Sequence, residues 1–118
     1  MSDPIDDLRQ KEEWIQSVAP TLLIDGRLTL GEALAVARWA SLWMDDFTGR
    51  MTKLAPCSEE VVIDALRESW SDSFARAEGV PRYPSGAPTL RACTSVNHAF
   101  CLAANDQFDE YWELVEKM

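Results

Sequence analysis

A chain of 118 residues is long enough for one domain around one core, with roughly two-thirds of its unfolded surface buried on folding. Its 20 acidic and 11 basic residues give a formal charge of −9. Direct binding to nucleic acid or to an anionic membrane needs clustered lysine and arginine, so neither is expected, and a protein partner with basic character suits the balance better. No apolar run approaches about 18 residues, and the opening MSDPIDDLRQ lacks a basic segment followed by an apolar one. Residues 1–118 are therefore expected to form a single cytoplasmic helical domain.

The first helix is predicted over about 3–18. Ser2 or Asp3 can cap it, Pro4 fits its first position, and Asp6 and Asp7 suit the positive end of the helix dipole. Ile5, Leu8, Ile15 and Val18 fall on one face that Lys11 and Glu12 interrupt, with Trp14 beside it. Pro20 ends the helix or opens a short helical turn through Leu23, and Asp25-Gly26 reverses the chain. Thr21 to Glu32 also aligns in part with an EF-hand calcium loop, but its first and third ligand positions hold Thr21 and Leu23. A hard cation needs more oxygen charge than that, so the stretch reads as a turn followed by a cap.

The second helix, about 29–51, starts at a capping box formed by Thr29 and Glu32. At helical period Leu30, Ala33, Leu34, Ala37, Ala40, Met44, Phe47 and Met51 make one stripe, with small residues in its middle that allow close approach of another backbone. Val36, Trp39 and Trp43 widen the apolar face beyond an ordinary stripe, and Leu42 lies almost opposite. Two explanations compete: a central helix wrapped by its neighbours, or a second face that serves as an interface, where tryptophan and methionine are enriched. On the second explanation Trp39, Leu42, Trp43, Met44 and Phe47 are the expected partner-binding or dimer surface.

A third helix is predicted over 58–78. Ser58 caps it ahead of two acids, Val62, Ala65, Leu66, Trp70, Phe74 and Ala77 supply its inner face, and Asp72 and Arg76 are spaced to pair. Ser69, Ser71 and Ser73 thin its apolar content, as a solvated or closely packed face would. Residues 79–89 are rich in proline and glycine and read as an irregular loop, with Tyr83 pinning it to the body and Arg82 at a contact rim. A last helix is predicted over 90–116, with a break possible at Asn105-Asp106; Asp106, Asp109, Glu110, Glu113 and Glu116 give it a solvated acidic face. The expected fold is all-α, a compact bundle of four main helices.

Chemistry-bearing residues are sparse. Cys57, Cys93 and Cys101 are an odd number in a reducing compartment, and Cys93 and Cys101 on one helix are separated by a rise of about 12 Å, too far for a disulfide. A zinc site built on Cys93, His98 and Cys101 fails on ligand count and spread. A Cys101–His98 nucleophile would need an exposed, acidic thiol, whereas Cys101 follows Phe100 on an apolar stripe. With no phosphate loop or nucleophile elbow, no enzyme activity, cofactor or metal is expected. An interaction protein remains. It docks through apolar anchors, mimics the phosphate backbone with its acidic faces, or acts as a chaperone for a secreted substrate.

The acidic, tryptophan-rich helical layout, with DGRLTLGEALAVARWASLW and the cysteine-bearing final helix, resembles the quorum-sensing antiactivators. The resemblance rests on overall size and layout. It implies a small homodimeric regulator that binds the ligand-binding domain of a LuxR-type transcription activator and prevents its dimerisation and DNA binding. The regulator itself would touch neither DNA nor membrane.

Overall fold

The structure is a computed structural model that describes residues 4–23, 28–54, 58–103 and 109–118. The caps proposed at Ser2 and Asp3, the Asp25-Gly26 turn, Cys57 and the Asn105-Asp106 break lie outside the described residues. The elements are helix α1 (Pro4–Val18), a 3₁₀ turn (Ala19–Leu23), and helices α2 (Leu30–Lys53), α3 (Glu59–Arg76), α4 (Leu90–Ala103) and α5 (Asp109–Val115). The described residues form an all-α bundle around α2, which packs against α1, the 3₁₀ turn, α3 and α4. No helix among them is long and apolar enough to cross a membrane.

Helix α2 begins as its capping box requires. Thr29 Oγ1 accepts from the Glu32 N–H at 3.1 Å, and Glu32 Oε1 accepts from the Thr29 N–H at 2.9 Å. Glu32 is thus a cap rather than a calcium ligand. The core face is centred elsewhere than the Leu30-to-Met51 stripe predicts. Leu30 is exposed, and Leu34, Met44 and Met51 are half-buried, while Val36, Trp39, Ala40, Trp43 and Phe47 are fully buried. The true face is rotated by about 60° toward the tryptophans. The physical reason is that α2 is wrapped on several sides, so its bulkiest side chains take the centre.

Helix α3 differs from expectation in two details. Ser58 occupies the cap position, but its side chain makes no capping hydrogen bond, and the helix closes at Arg76 with Ala77 extended. Asp72 and Arg76 do not pair with each other: Asp72 meets Arg50, and Arg76 lies 3.8 Å from Asp46. Both reach α2 instead, because α3 lies alongside it. Asp46 and Arg50, spaced i, i+4 within α2, pair at 2.9 Å.

The connection from Gly79 to Thr89 is more ordered than its composition predicts. Tyr83 N–H donates to Ala87 O at 2.8 Å, Gly86 N–H to Tyr83 O at 2.8 Å, and Thr89 N–H to Pro81 O at 3.0 Å, giving a small hairpin. Gly86 turns it at φ +93°, a conformation that disfavours side chains. Arg82 is exposed and also has a structural role. Its guanidinium donates to Phe74 O, Ala77 O and Gly86 O and lies 4.0 Å over the Phe74 ring, so it closes the α3 end onto the hairpin. Tyr83 is half-exposed, and its hydroxyl accepts from the Leu90 N–H at 3.2 Å, a pinning role.

The segment predicted as one helix over 90–116 holds two, α4 and α5. Helix α5 packs back on both α3 and α4. A straight continuation could not do so, since residues six apart in a helix are about 9 Å apart and diverging. Tyr111 reaches Phe47 edge-on at 5.2 Å, and Lys117 pairs with Glu59 at 2.7 Å. That hydrogen bond is the main reason the Lys117 ammonium holds its proton above the usual range.

Candidate functional site

Three of the five residues expected at a contact surface lie in the core. Trp39, Trp43 and Phe47 have no exposed area; only Leu42 and Met44 are half-buried. Trp39 Nε1–H donates to Ser73 Oγ at 3.1 Å, and Trp43 Nε1–H donates to Leu66 O at 3.2 Å. Ser73 Oγ donates in turn to Trp70 O, and Ser69 Oγ to Leu66 O. One turn of α2 separates the tryptophans and about one turn of α3 separates their acceptors, Ser73 Oγ and Leu66 O, so two indole hydrogen bonds along the helix pair set its register. Trp39 meets Trp70 and Phe74 with ring centroids at 4.9 Å each, and Trp43 meets Phe100 at 4.2 Å.

The indole nitrogens explain this placement. A buried indole N–H needs an acceptor, and a helix offers one only where a carbonyl has spare capacity or a small hydroxyl stands beside it. Ser69 and Ser73, fully buried, are small enough to let the indoles in. Of the two readings of those serines, Ser69 and Ser73 fit the closely packed face and Ser71 the solvated one.

What α2 and α3 do present outward is an ion-pair network. Arg50 donates to Asp46 at 2.9 Å, to Glu68 at 3.0 Å and to Asp72, and the hydrogen bond to Asp46 holds its proton more firmly than usual. Lys11 of α1 takes Asp45 at 2.5 Å, and Arg38 takes Glu12 at 2.8 Å. A groove of about 630 Å³ lies along this network, with Gly49 and Ala65 among its lining and Leu54 and Val61 at its apolar end. Asp45, Asp46, Asp64, Glu68 and Asp72 each face a cation. The groove therefore offers little net field to a charged ligand, and exposed pairs of this kind contribute about 0–1 kcal/mol each.

The exposed large apolar side chains lie apart from the tryptophans: Ile5 and Leu8 on α1, Leu30, Leu54, Val61, Tyr83 and Leu90. Ile5 is 64% and Leu8 66% exposed. Sequence reasoning placed both on the core-facing stripe of α1 and missed them as surface.

Cys93 is half-buried with its thiol 3.9 Å from Pro88 O, and burial pushes that thiol above its usual range. A raised thiol favours the neutral form, so the thiolate needed for nucleophilic or metal chemistry is scarce at neutral pH. The stability tied to this group is complete below the ordinary thiol range and is lost as pH rises through the folded value. In the folded chain Cys93 is expected to react with a disulfide reagent at pH 7 at least about tenfold more slowly than in the urea-unfolded chain, measured by mass spectrometry of the labelled peptide. Equal rates would contradict the burial. His98 is exposed on the same helix, and among the described residues no group of three His, Cys, Asp or Glu is placed to hold a metal ion.

Comparison with protein-family models, with curated proteins and with solved structures gives no match for this chain.

Proposed function

We propose that this chain is a small, non-enzymatic regulatory protein that binds a LuxR-type quorum-sensing transcription activator and prevents its dimerisation and DNA binding. The observation that carries the contact part of this reading is the scatter of exposed large aliphatic side chains, Ile5 and Leu8 foremost, on a helical body of charge −9. Exposed apolar groups set among carboxylates suit a protein surface that is apolar with basic edges, and the net charge works against DNA as a direct ligand. The choice of a LuxR-type activator rests on the layout resemblance of the sequence. A homodimer of this chain, in the cytoplasm, is part of the same proposal.

The test is a gel shift with a purified LuxR-type activator, its inducer and its operator DNA. Adding this chain in excess is expected to abolish the shifted band, with no band from the chain and DNA alone. Light scattering should give the mass of two chains. An activator that keeps its operator at a large excess of this chain would refute the proposal.

A further inference from the structure

Like charge opposes self-association, and this chain carries −9. The groove of about 630 Å³ between α2 and α3 has six charged residues in its lining: Asp45, Asp46, Arg50, Lys53, Asp64 and Glu68. Their ion-pair partners outside the lining are Lys11, Arg67, Arg76 and Asp72. Together these are five of the 11 basic and five of the 20 acidic residues, so this face is neutral and the rest of the chain carries the whole −9. A second copy that docks here by two-fold symmetry escapes the surplus of acids that it meets on the rest of the chain.

The centre of the same face is apolar and open. Leu54 is 40% and Val61 39% exposed, Ala65 is small, and a Cβ built on Gly49 would meet nothing within 4 Å. An apolar centre inside a polar rim is the usual anatomy of a protein interface, and a rim of both signs can complement itself. Lys53 has no ion pair among the described residues, and Asp64 reaches Arg67 only at 3.9 Å with its own side chain 69% exposed. These two charges are available to a neighbour. An anionic surface finds no net positive field here, and a strongly basic partner finds more acid on the rest of the chain.

We infer that the α2–α3 groove is where a second copy of this chain docks, with the two-fold axis along the groove so that α2 of each copy lies over α3 of the other. Leu54 and Val61 form the centre of the interface, and Lys53 of each copy faces Asp64 of the other. This gives the homodimer of the proposed function its face and rests on that part of the reading. Two half-exposed anchors per copy make a small apolar centre, so the dimer is weak, with a Kd of about 1–100 μM.

The experiment is sedimentation equilibrium of the full chain up to about 1 mM, wild type against L54Q/V61Q. Each substitution counts twice in an isologous interface, so the dimer Kd should rise about thirtyfold. Lys53→Glu, at an exposed site with no ion pair of its own, should raise Kd about tenfold, and K53E/D64K should restore most of the loss. Carbodiimide coupling of an equal mixture of ¹⁴N and ¹⁵N wild-type chains should give a mixed-isotope Lys53–Asp64 peptide pair, a readout that holds even if L54Q/V61Q melts early. A wild-type chain that stays monomeric at about 1 mM, or a dimer as tight in L54Q/V61Q and K53E as in wild type, would overturn the inference. So would a dimer unchanged in L54Q/V61Q with loss of activator binding instead, which would give the groove to the activator. A monomer that still removes the activator from its operator overturns this inference alone, whereas a dimer through this face that leaves the activator on its operator supports it and refutes the regulatory reading.

Discussion

Trp43→Ala is expected to lower the free energy of unfolding by about 3–5 kcal/mol, read from urea denaturation followed by circular dichroism. The indole is fully buried, lies 4.2 Å from the Phe100 ring and donates to Leu66 O, so truncation removes a large apolar volume, a ring contact and a satisfied buried donor together. A single domain of this size has about 5–15 kcal/mol in all, so the variant should sit near the edge of folding. A loss below about 1 kcal/mol would mean that Trp43 is on the surface. The distinction bears on function, because a tryptophan that held an interface would cost binding and spare stability.

Ser73→Val is the second large effect, about 2–3 kcal/mol by the same measurement. Ser73 Oγ is the acceptor nearest to Trp39 Nε1, at 3.1 Å against 3.4 Å for Trp70 O. Valine removes that acceptor and adds a branched side chain where there is no exposed area to take it up. Ser71→Val on the exposed side of the same helix serves as the control, and its change should stay within about 0.5 kcal/mol. If both variants cost the same, the serine and tryptophan contacts do not set the α2–α3 register.

The first three helices and the capping box of α2 were legible because their signals are local. Thr29 and Glu32 lie within one turn, and their mutual hydrogen bonds follow from spacing alone. The Asp46–Arg50 pair follows from the same kind of rule. Asp72 and Arg76 obey that rule too, yet each is drawn to α2, since a cross-helix partner within reach displaces a local one. Ala33, Ala37, Ala40 and Phe47 of the predicted stripe are fully buried, but the centring of the α2 core face on Val36, Trp39 and Trp43 was not legible. It depends on how many helices surround α2, and a single-helix pattern cannot distinguish a surface rich in tryptophan from a core rich in tryptophan.

Three of the five residues of the expected contact surface, Trp39, Trp43 and Phe47, are buried for that reason. Of the two explanations for the apolar width of α2, the central helix wrapped by its neighbours matches the packing: α1, the 3₁₀ turn, α3 and α4 all contact it. The opposite error occurred on α1, where Ile5 and Leu8 fit a core stripe by spacing but are exposed. The loop from Gly79 to Thr89 hid its order because its hairpin hydrogen bonds and the Arg82 clasp on α3 join residues that composition alone does not pair.

The central claim is that the α2 tryptophans build the core and leave contact to the outer surface. It is tested most directly by hydrogen exchange of the indole N–H groups in the ¹⁵N-labelled chain, with and without the activator's ligand-binding domain. Trp39 and Trp43 are expected to exchange only through global unfolding, with indole resonances that stay in place when the activator is added. Exchange of either indole as fast as that of an exposed tryptophan in the free chain, with protection gained on binding, would contradict it.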